Sequence, residues 1–313
     1  MQYYFAPLEG LTDSIFRCLH HRYFPGADRY YTPFFSPTAH RNLTQKERRE
    51  LSGTAEGFHI IPQVLTKSSG DFLWFAQACK DLGYEEINLN LGCPSGTVTA
   101  KGKGSGMLQD TNALDSFLYD IFSRASLPVS VKTRIGFTSG DEFPRLLEIF
   151  NRYPIKELTI HPRVRKDFYN GNVDMDAFRY ALANSKAPVC YNGNLSTKTQ
   201  LADFQKEFPT VDAVMLGRGL IADPGLLCEC GTQVQVLEQF HNELLESYLE
   251  AFGGSRNAMF RLKEHWRYLI RKFENSEKLA KRLRKTTDLG EYKAITGEIF
   301  HNLPILEDVA ADW

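Results

Sequence analysis

The stretch Asn88-Leu89-Asn90-Leu91-Gly92-Cys93-Pro94 carries the side chain best placed to do chemistry in this 313-residue chain. Residues 86–91 alternate as a strand does, and Gly92-Cys93-Pro94 ends the alternation at once. One cysteine therefore stands at the carboxyl end of a buried strand, before a proline that cannot extend a sheet. In an α/β barrel that end is where catalytic groups gather. A thiol there is a candidate acid or nucleophile; the plain alternative is a small buried hydrophobe. A glycine-rich stretch, Lys101-Gly102-Lys103-Gly104-Ser105-Gly106, follows closely.

Other polar residues fall at strand ends. Gln63 ends the third strand pattern, Lys132 ends the fifth with Arg134 two residues on, and His161 ends the sixth. Lys132 interrupts the apolar run Val129-Ser130-Val131, where a lysine otherwise snorkels outward. A shared position at one rim points instead to a common ligand. Tyr191-Asn192-Gly193-Asn194 closes the seventh pattern and Leu216-Gly217-Arg218-Gly219 the eighth. Loops after strands seven and eight are the usual phosphate-holding position of a barrel. Glycine lets backbone N–H groups approach phosphate oxygens, and Arg218 adds charge. A lysine near the pyrimidine side of a flavin would stabilise its reduced anion.

The elements that must position these groups alternate in type. Strand patterns cover residues 3–6, 28–31, 58–64, 86–90, 129–133, 157–161, 189–192 and 211–216. Helical patterns cover 13–21, 68–82, 112–124, 142–152, 174–183 and 197–208, with Asp13 and Thr197 as N-caps. The link from Tyr31 to Phe58 shows no clear helix. Repeated β-then-α units predict a parallel sheet, and eight of them in residues 1–232 fit a closed (β/α)8 TIM barrel better than the alternative, an open doubly wound sheet. From residue 233 to 313 no strand pattern returns. Leu237, Phe240, Leu244, Leu245, Tyr248 and Phe252 keep helical spacing up to Gly253-Gly254. Met259, Leu262, Trp266, Leu269, Ile270 and Phe273 predict a second helix, and Tyr292, Ile295 and Ile299 another after a break at Leu289-Gly290. This part reads as a small helical-bundle domain.

Charge is unevenly spread. From residue 256 to 285 eleven Lys and Arg face three Glu, a balance of +8 in a chain whose net charge is −1, which leaves −9 elsewhere. A single charge run is usually a solvated helix face. An imbalance of this size confined to one domain favours a phosphate-backbone surface. The six cysteines are scattered with no C-x-x-C pair, which fits free thiols in a reducing cytosol and gives no zinc or redox pattern. The first residues lack a basic stretch leading into an apolar run, so no signal peptide is expected, and no apolar stretch reaches membrane-spanning length.

On these residues the chain resembles the tRNA-dihydrouridine synthases, flavin enzymes that reduce specific uridines in tRNA. Ala6-Pro7-Leu8-Glu9-Gly10-Leu11-Thr12-Asp13 is similar to the family's A-P-M-x-G-x-T-D opening, with Leu8 in place of methionine. Asn90-Leu91-Gly92-Cys93-Pro94 resembles N-x-G-C-P, and Lys101-Gly102-Lys103-Gly104 the K-x-x-G loop. Lys132-Thr133-Arg134 resembles K-x-R and His161-Pro162-Arg163 resembles H-x-R, with Pro162 where a small residue is common. Asn192-Gly193-Asn194 and Gly217-Arg218-Gly219 resemble the flavin-phosphate loops, with Asn194 where aspartate is common.

The resemblance implies roles. Cys93 would be the general acid that protonates uracil C5 while reduced FMN gives hydride to C6. Gln63 and Lys132 would hold the isoalloxazine ring beside Pro7 and Leu8, with His161 at its rim. Asn192, Gly193, Asn194, Gly217 and Arg218 would hold the FMN phosphate. Asn90, Lys101, Arg134 and Arg163 would face the uridine or nearby phosphates. Arg267, Arg271, Lys281, Arg282 and Lys285 of the helical part would meet the tRNA backbone. NADPH would reduce the flavin and leave before tRNA enters. No metal and no membrane are expected, and a monomer in the cytoplasm suits so large a partner. Two other functions fit parts of the sequence. An FMN barrel acting on a small substrate, of the dihydroorotate-dehydrogenase type, would leave the basic helices without a purpose. A non-catalytic RNA-binding barrel would have no use for Cys93 and Lys132.

Overall fold

The structure is a computed structural model and describes residues 1–38, 40–51 and 57–309. Parallel strands alternate with helices along the first two-thirds of the chain. They are β1 (Gln2–Phe5), α1 (Ser14–Tyr23), β2 (Arg29–Tyr31), α2 (Gln45–Glu50), β3 (Ile60–Ile61), β4 (Gln63–Val64) and α3 (Ser69–Asp81). Then come β5 (Ile87–Leu91), α4 (Gly96–Thr99), α5 (Thr111–Phe122), β6 (Val129–Gly136), α6 (Phe143–Phe150), β7 (Leu158–Val164) and α7 (Met175–Asn184). β8 (Val189–Tyr191), α8 (Lys198–Glu207), β9 (Ala213–Leu216) and α9 (Arg218–Ala222) complete the barrel.

The sheet runs β3-β2-β1-β9-β8-β7-β6-β5-β4, and every pairing is parallel. Its two end strands are consecutive in sequence. Pro62 lacks an N–H and divides the expected strand 58–64 into β3, which pairs with β2, and β4, which pairs with β5. The Pro62 carbonyl still accepts the Asn88 N–H at 2.8 Å. One stave thus carries both ends of the sheet and closes it into a (β/α)8 TIM barrel.

Strand periodicity then decides which side chains meet inside. Ile87, Leu89, Leu91, Val129, Val131 and Leu158 point outward into the core shared with the helices. Asn88, Asn90, Ser130, Lys132, Arg134 and His161 are offset by one residue and turn to the interior. Around β1, β2, β3, β8 and β9 that interior is filled by Tyr4, Ala6, Tyr31, Ile61, Cys190, Ala213 and Met215. Asp13 and Thr197 cap α1 and α8 as expected. The long link after β2 does contain a helix: Thr44 and Glu47 form a capping box for α2, and the run Gln45–Glu50 has no apolar residue to signal it.

Four more helices follow: α10 (Val234–Phe252), α11 (Ser255–Leu269), α12 (Glu277–Lys285) and α13 (Leu289–Asn302). Gly253 ends α10 in a left-handed conformation at φ 62°. α12 escapes sequence periodicity because Leu279 and Leu283 are its only large apolar residues, yet both are buried, at about 1.5–3 kcal/mol each. Leu289-Gly290 is the first turn of α13, capped by Asp288, not a break before it.

These helices are fastened to the barrel by buried contacts. The His265 ring stacks on Phe16 at 4.8 Å and its Nε2 bonds the Leu11 carbonyl at 2.8 Å. The Tyr248 hydroxyl donates to Asp13 at 3.0 Å. Lys272 reaches Asp223 at 2.7 Å, with both side chains almost fully buried. Among the described residues no helix is long and apolar enough to cross a membrane.

Candidate active site

Cys93 stands just past β5, and its backbone is held on both sides. The Asn90 Oδ1 accepts the N–H groups of Gly92 and Cys93 at 3.0 and 2.9 Å. The Cys93 carbonyl accepts the Ser105 N–H and Oγ–H at 3.2 and 2.8 Å. Gly104 makes this approach possible: its φ is +57°, and a Cβ there would lie 2.9 Å from the Cys93 carbonyl oxygen. The glycine-rich loop therefore packs directly on the cysteine. Burial raises the Cys93 thiol above its ordinary pKa, so it stays protonated at neutral pH.

A chain of side-chain hydrogen bonds runs beneath it through the barrel. The Asn90 amide donates to Gln63 at 2.7 Å, Gln63 to Asn88 at 2.7 Å, Asn88 to Ser130 at 3.0 Å and Ser130 to Glu86 at 2.6 Å. Gln63 is wholly buried and its amide is committed at both ends. It bonds Asn90 from beneath and is not among the residues that line the cavity.

The cavity above has a volume of about 660 Å³. It brings together twelve of the expected residues: Pro7, Leu8, Asn90, Cys93, Lys132, Arg134, His161, Asn192, Gly193, Asn194, Gly217 and Arg218. Lys132 donates to Asn192 Oδ1 at 2.6 Å, and Asn192 donates onward to the Met215 carbonyl at 2.7 Å. Burial, and then the nearby Arg134, bring the Lys132 pKa down to about 7. The His161 pKa is also held well below its ordinary value, first by burial. Arg163 Nη1 lies 2.9 Å from His161 Nε2; a guanidinium only donates, so Nε2 accepts and Nδ1 carries the proton. Arg218 reaches Asn194 at 3.2 Å. Gly193 must be glycine, because a Cβ there would lie 2.0 Å from the Tyr191 hydroxyl.

Arg134 and Arg163 lie deeper than the other cations of the mouth. Each is 1% exposed, and the donors of each are taken mainly by backbone. Arg134 bonds the carbonyls of Gly92, Val164 and Phe168 at 2.9, 3.0 and 2.5 Å. Arg163 bonds those of Asn170 and Gly171 at 3.1 and 2.5 Å. Both tie down the loop after β7, and Arg134 also stands in the cavity wall. That loop lays Tyr169 across the cavity, with the Arg134 and Arg218 guanidinium carbons 5.4 and 5.1 Å from its ring centre.

Lys101 and the five basic residues expected on the helices lie outside this cavity. Arg267 pairs with Glu264 at 2.9 Å and Arg282 with Glu298 at 2.8 Å, while Lys281 and Lys285 are exposed. The +8 segment also contains structural cations: Lys272 is internal, and Arg261 and Lys263 bond the backbone carbonyls of Gly10 and Thr286.

Sequence reasoning missed Phe34, Phe168, Tyr169 and Tyr268, all in the cavity wall. Tyr268 comes from α11, so the helical part helps build the mouth of the barrel. An aromatic pair in a polar loop, as in Phe168-Tyr169, was the one available signal. Among the described residues no group of three or more His, Cys, Asp or Glu is placed to hold a metal ion.

Comparison with known proteins matches this architecture. A sequence model described as dihydrouridine synthase (Dus) fits residues 4–299. The chain is 27% identical over 226 residues to the tRNA-dihydrouridine synthase B of Pasteurella multocida (strain Pm70), covering 71% of this chain and 67% of the relative. It is 26% identical over 280 residues to that of Proteus vulgaris, covering 83% and 85%. Among solved structures, a morphinone reductase variant in complex with tetrahydroNAD aligns with a TM-score of 0.53 at 11% identity, over 77% of this chain and 86% of that one. The old yellow enzyme from Trypanosoma cruzi aligns with a TM-score of 0.51 at 12% identity, over 72% and 86%. At such identities these two bear on the fold alone. With the family model spanning nearly the whole chain, the protein belongs to the dihydrouridine synthase family.

Proposed function

We propose that the protein reduces the C5–C6 double bond of specific uridines in tRNA, with FMN as cofactor and NADPH as reductant. The observation that carries this reading is Cys93: a protonated thiol in a cation-lined cavity at the carboxyl end of the barrel.

The cavity suits a planar anion. Its wall holds Lys132, Arg134 and Arg218 against one carboxylate, Glu9. Lys132 is an ammonium whose bonded partner is a neutral amide, so a negative charge beside it would restore its pKa. Pro7 and Leu8 would flank the ring, His161 would offer its Nδ1–H, and Gly193, Asn194, Gly217 and Arg218 would receive the phosphate. Gln63 would support this set from below through Asn90. The chemistry supplied by bound FMN is hydride transfer, taken from NADPH and passed to uracil C6.

Cys93 then gives its proton to C5, which balances the reduction. A thiol serves better here than a thiolate, and the raised pKa keeps it one. Asn90 fixes the approach of Cys93 by holding its N–H. Tyr169 closes the mouth on one side. A uridine in folded tRNA must leave its stack to enter such a cavity. Residues 233–313 form the proposed tRNA-binding domain, with Arg267, Arg271, Lys281, Arg282 and Lys285 toward phosphates, and Lys101 at the barrel rim extends that surface. A cytoplasmic monomer is part of the same proposal.

Purified protein with NADPH and unmodified tRNA should accumulate dihydrouridine, measured by mass spectrometry of digested tRNA. A yellow protein that oxidises NADPH but leaves every tRNA uridine unreduced would favour the small-substrate alternative. A colourless one that binds tRNA would favour the non-catalytic alternative.

A further inference from the structure

A second cavity of about 240 Å³ opens beside the first. Glu9 and Phe34 stand in the walls of both. The second cavity is built where the loops after β1 and β2, the helix α2 and the ends of α10 and α11 converge. Three aromatic rings, Phe34, Phe35 and Phe252, line it together with three cations, Lys46, Arg49 and Arg261.

Three other acids line it besides Glu9, and each has internal partners. Asp13 caps α1 and accepts from Tyr248. Glu47 closes the capping box of α2. Glu50 accepts the Ser14 N–H at 2.7 Å and pairs with buried Arg17 at 3.3 Å. Arg17 offsets Glu50, and Arg261 lies 3.8 Å from Asp13. Lys46 and Arg49 sit on the exposed side of α2.

We infer that this cavity is a subsite for the nucleotide next to the target uridine in the RNA strand. An aromatic face paired with cations is the chemistry that holds one unstacked base and its phosphate. Continuity with the first cavity gives the strand its path: a base extruded onto Cys93 drags its neighbour across the Glu9–Phe34 wall. The loop that packs on Cys93 is also tied to this second site. Lys103 donates to Ser36 at 2.8 Å, and Ser36 lines the second cavity. Filling the subsite therefore presses on the loop that positions the acid.

The inference rests on the tRNA-reductase reading, and the test separates the two. Lys46→Glu and, separately, Phe252→Leu are compared with the wild-type holoenzyme in two assays: tRNA reduction across a salt series, and flavin reduction by NADPH without RNA. Lys46→Glu should raise the KM for tRNA about three- to tenfold and flatten the log–log salt slope by about one contact. Phe252→Leu should raise the same KM and leave the salt slope alone. Flavin reduction should keep its wild-type KM and rate in both. Wild-type KM and salt slope for tRNA in both variants would overturn the subsite, as would a raised KM for NADPH instead, which would assign the cavity to the reductant. A wild-type enzyme that never reduces tRNA would sink the underlying reading, a result distinct from either.

Discussion

Cations in the barrel mouth and cations on the helical domain differ in how they are held. Lys132, Arg134, Arg163 and Arg218 each have a defined partner: an asparagine, backbone carbonyls, a histidine. Arg267, Lys281, Arg282 and Lys285 project from helix surfaces, with at most a surface glutamate beside them. A buried, fully bonded charge fixes geometry and feels low dielectric. An exposed one contributes mainly to long-range attraction and is screened by salt. The mouth therefore holds one arrangement of atoms, whereas the helical face suits the looser contact with a polyanion proposed for it.

The largest effect that would test this contrast is at Cys93. Cys93→Ala should lower tRNA uridine reduction about 10²–10⁴-fold, the usual range for losing a general acid. Flavin reduction by NADPH and tRNA affinity should stay near wild type, read by stopped-flow absorbance and by filter binding. Wild-type turnover would make the thiol a packing group.

Arg134→Ala comes next and asks whether the mouth is rigid by construction. It strips the donor from three carbonyls, at about 1–3 kcal/mol for each left buried without a partner. Thermal unfolding should register the loss. Lys281→Ala on the helical face should change stability by no more than about 0.5 kcal/mol. Equal shifts would erase the distinction between the two regions.

The Lys132 pKa sharpens the comparison further. Below about pH 7 the ammonium is charged in the unliganded cavity, and above it the charge is lost. An anionic ligand favours the charged form, so it raises this pKa and takes up a proton on binding in more alkaline solution. FMN affinity should then be flat below about pH 7 and fall above it, by up to tenfold per pH unit until the pKa of the bound state. Titration of the apoprotein by flavin fluorescence checks the slope, and Lys132→Met should abolish it.

The smallest single effects belong to the helical face. Lys281→Glu or Lys285→Glu alone should raise the KM for tRNA only a few-fold and reduce the salt slope by about one contact each. Reversing both with Arg271 should weaken binding much more, while flavin reduction is unchanged. A triple variant with wild-type affinity and salt slope would move the tRNA footprint to the barrel rim near Lys101.

Much of this molecule was legible without coordinates. Alternation in residues 86–91 and 129–133 assigned the strands, and chain ends at Gly92, Gly193 and Gly217 marked the rim, because strand period and turn chemistry are local properties. The family resemblance supplied the candidate roles. Local patterns failed where few apolar residues speak for an element. α2 has none, and α12 has only Leu279 and Leu283.

Tertiary structure alone decided the rest. Pro62 looked like a flaw in one strand, and closure of the sheet made it the joint where two neighbours change over. Arg134 and Arg163 carry the same charge in sequence as Arg218, but a guanidinium binds whatever carbonyls surround it, and those of residues 164, 168, 170 and 171 reach it only through the path of the loop after β7. Gln63, expected at the flavin ring, bonds Asn90 and Asn88 beneath the cavity. Lys132 owes its lowered pKa to burial and to Arg134, neither of which a sequence states. The sequence by itself determined which residues could do chemistry and at which end of the barrel, because those are matters of residue type and period. Which of them face a ligand and which hold the frame depended on distances between segments far apart in the chain.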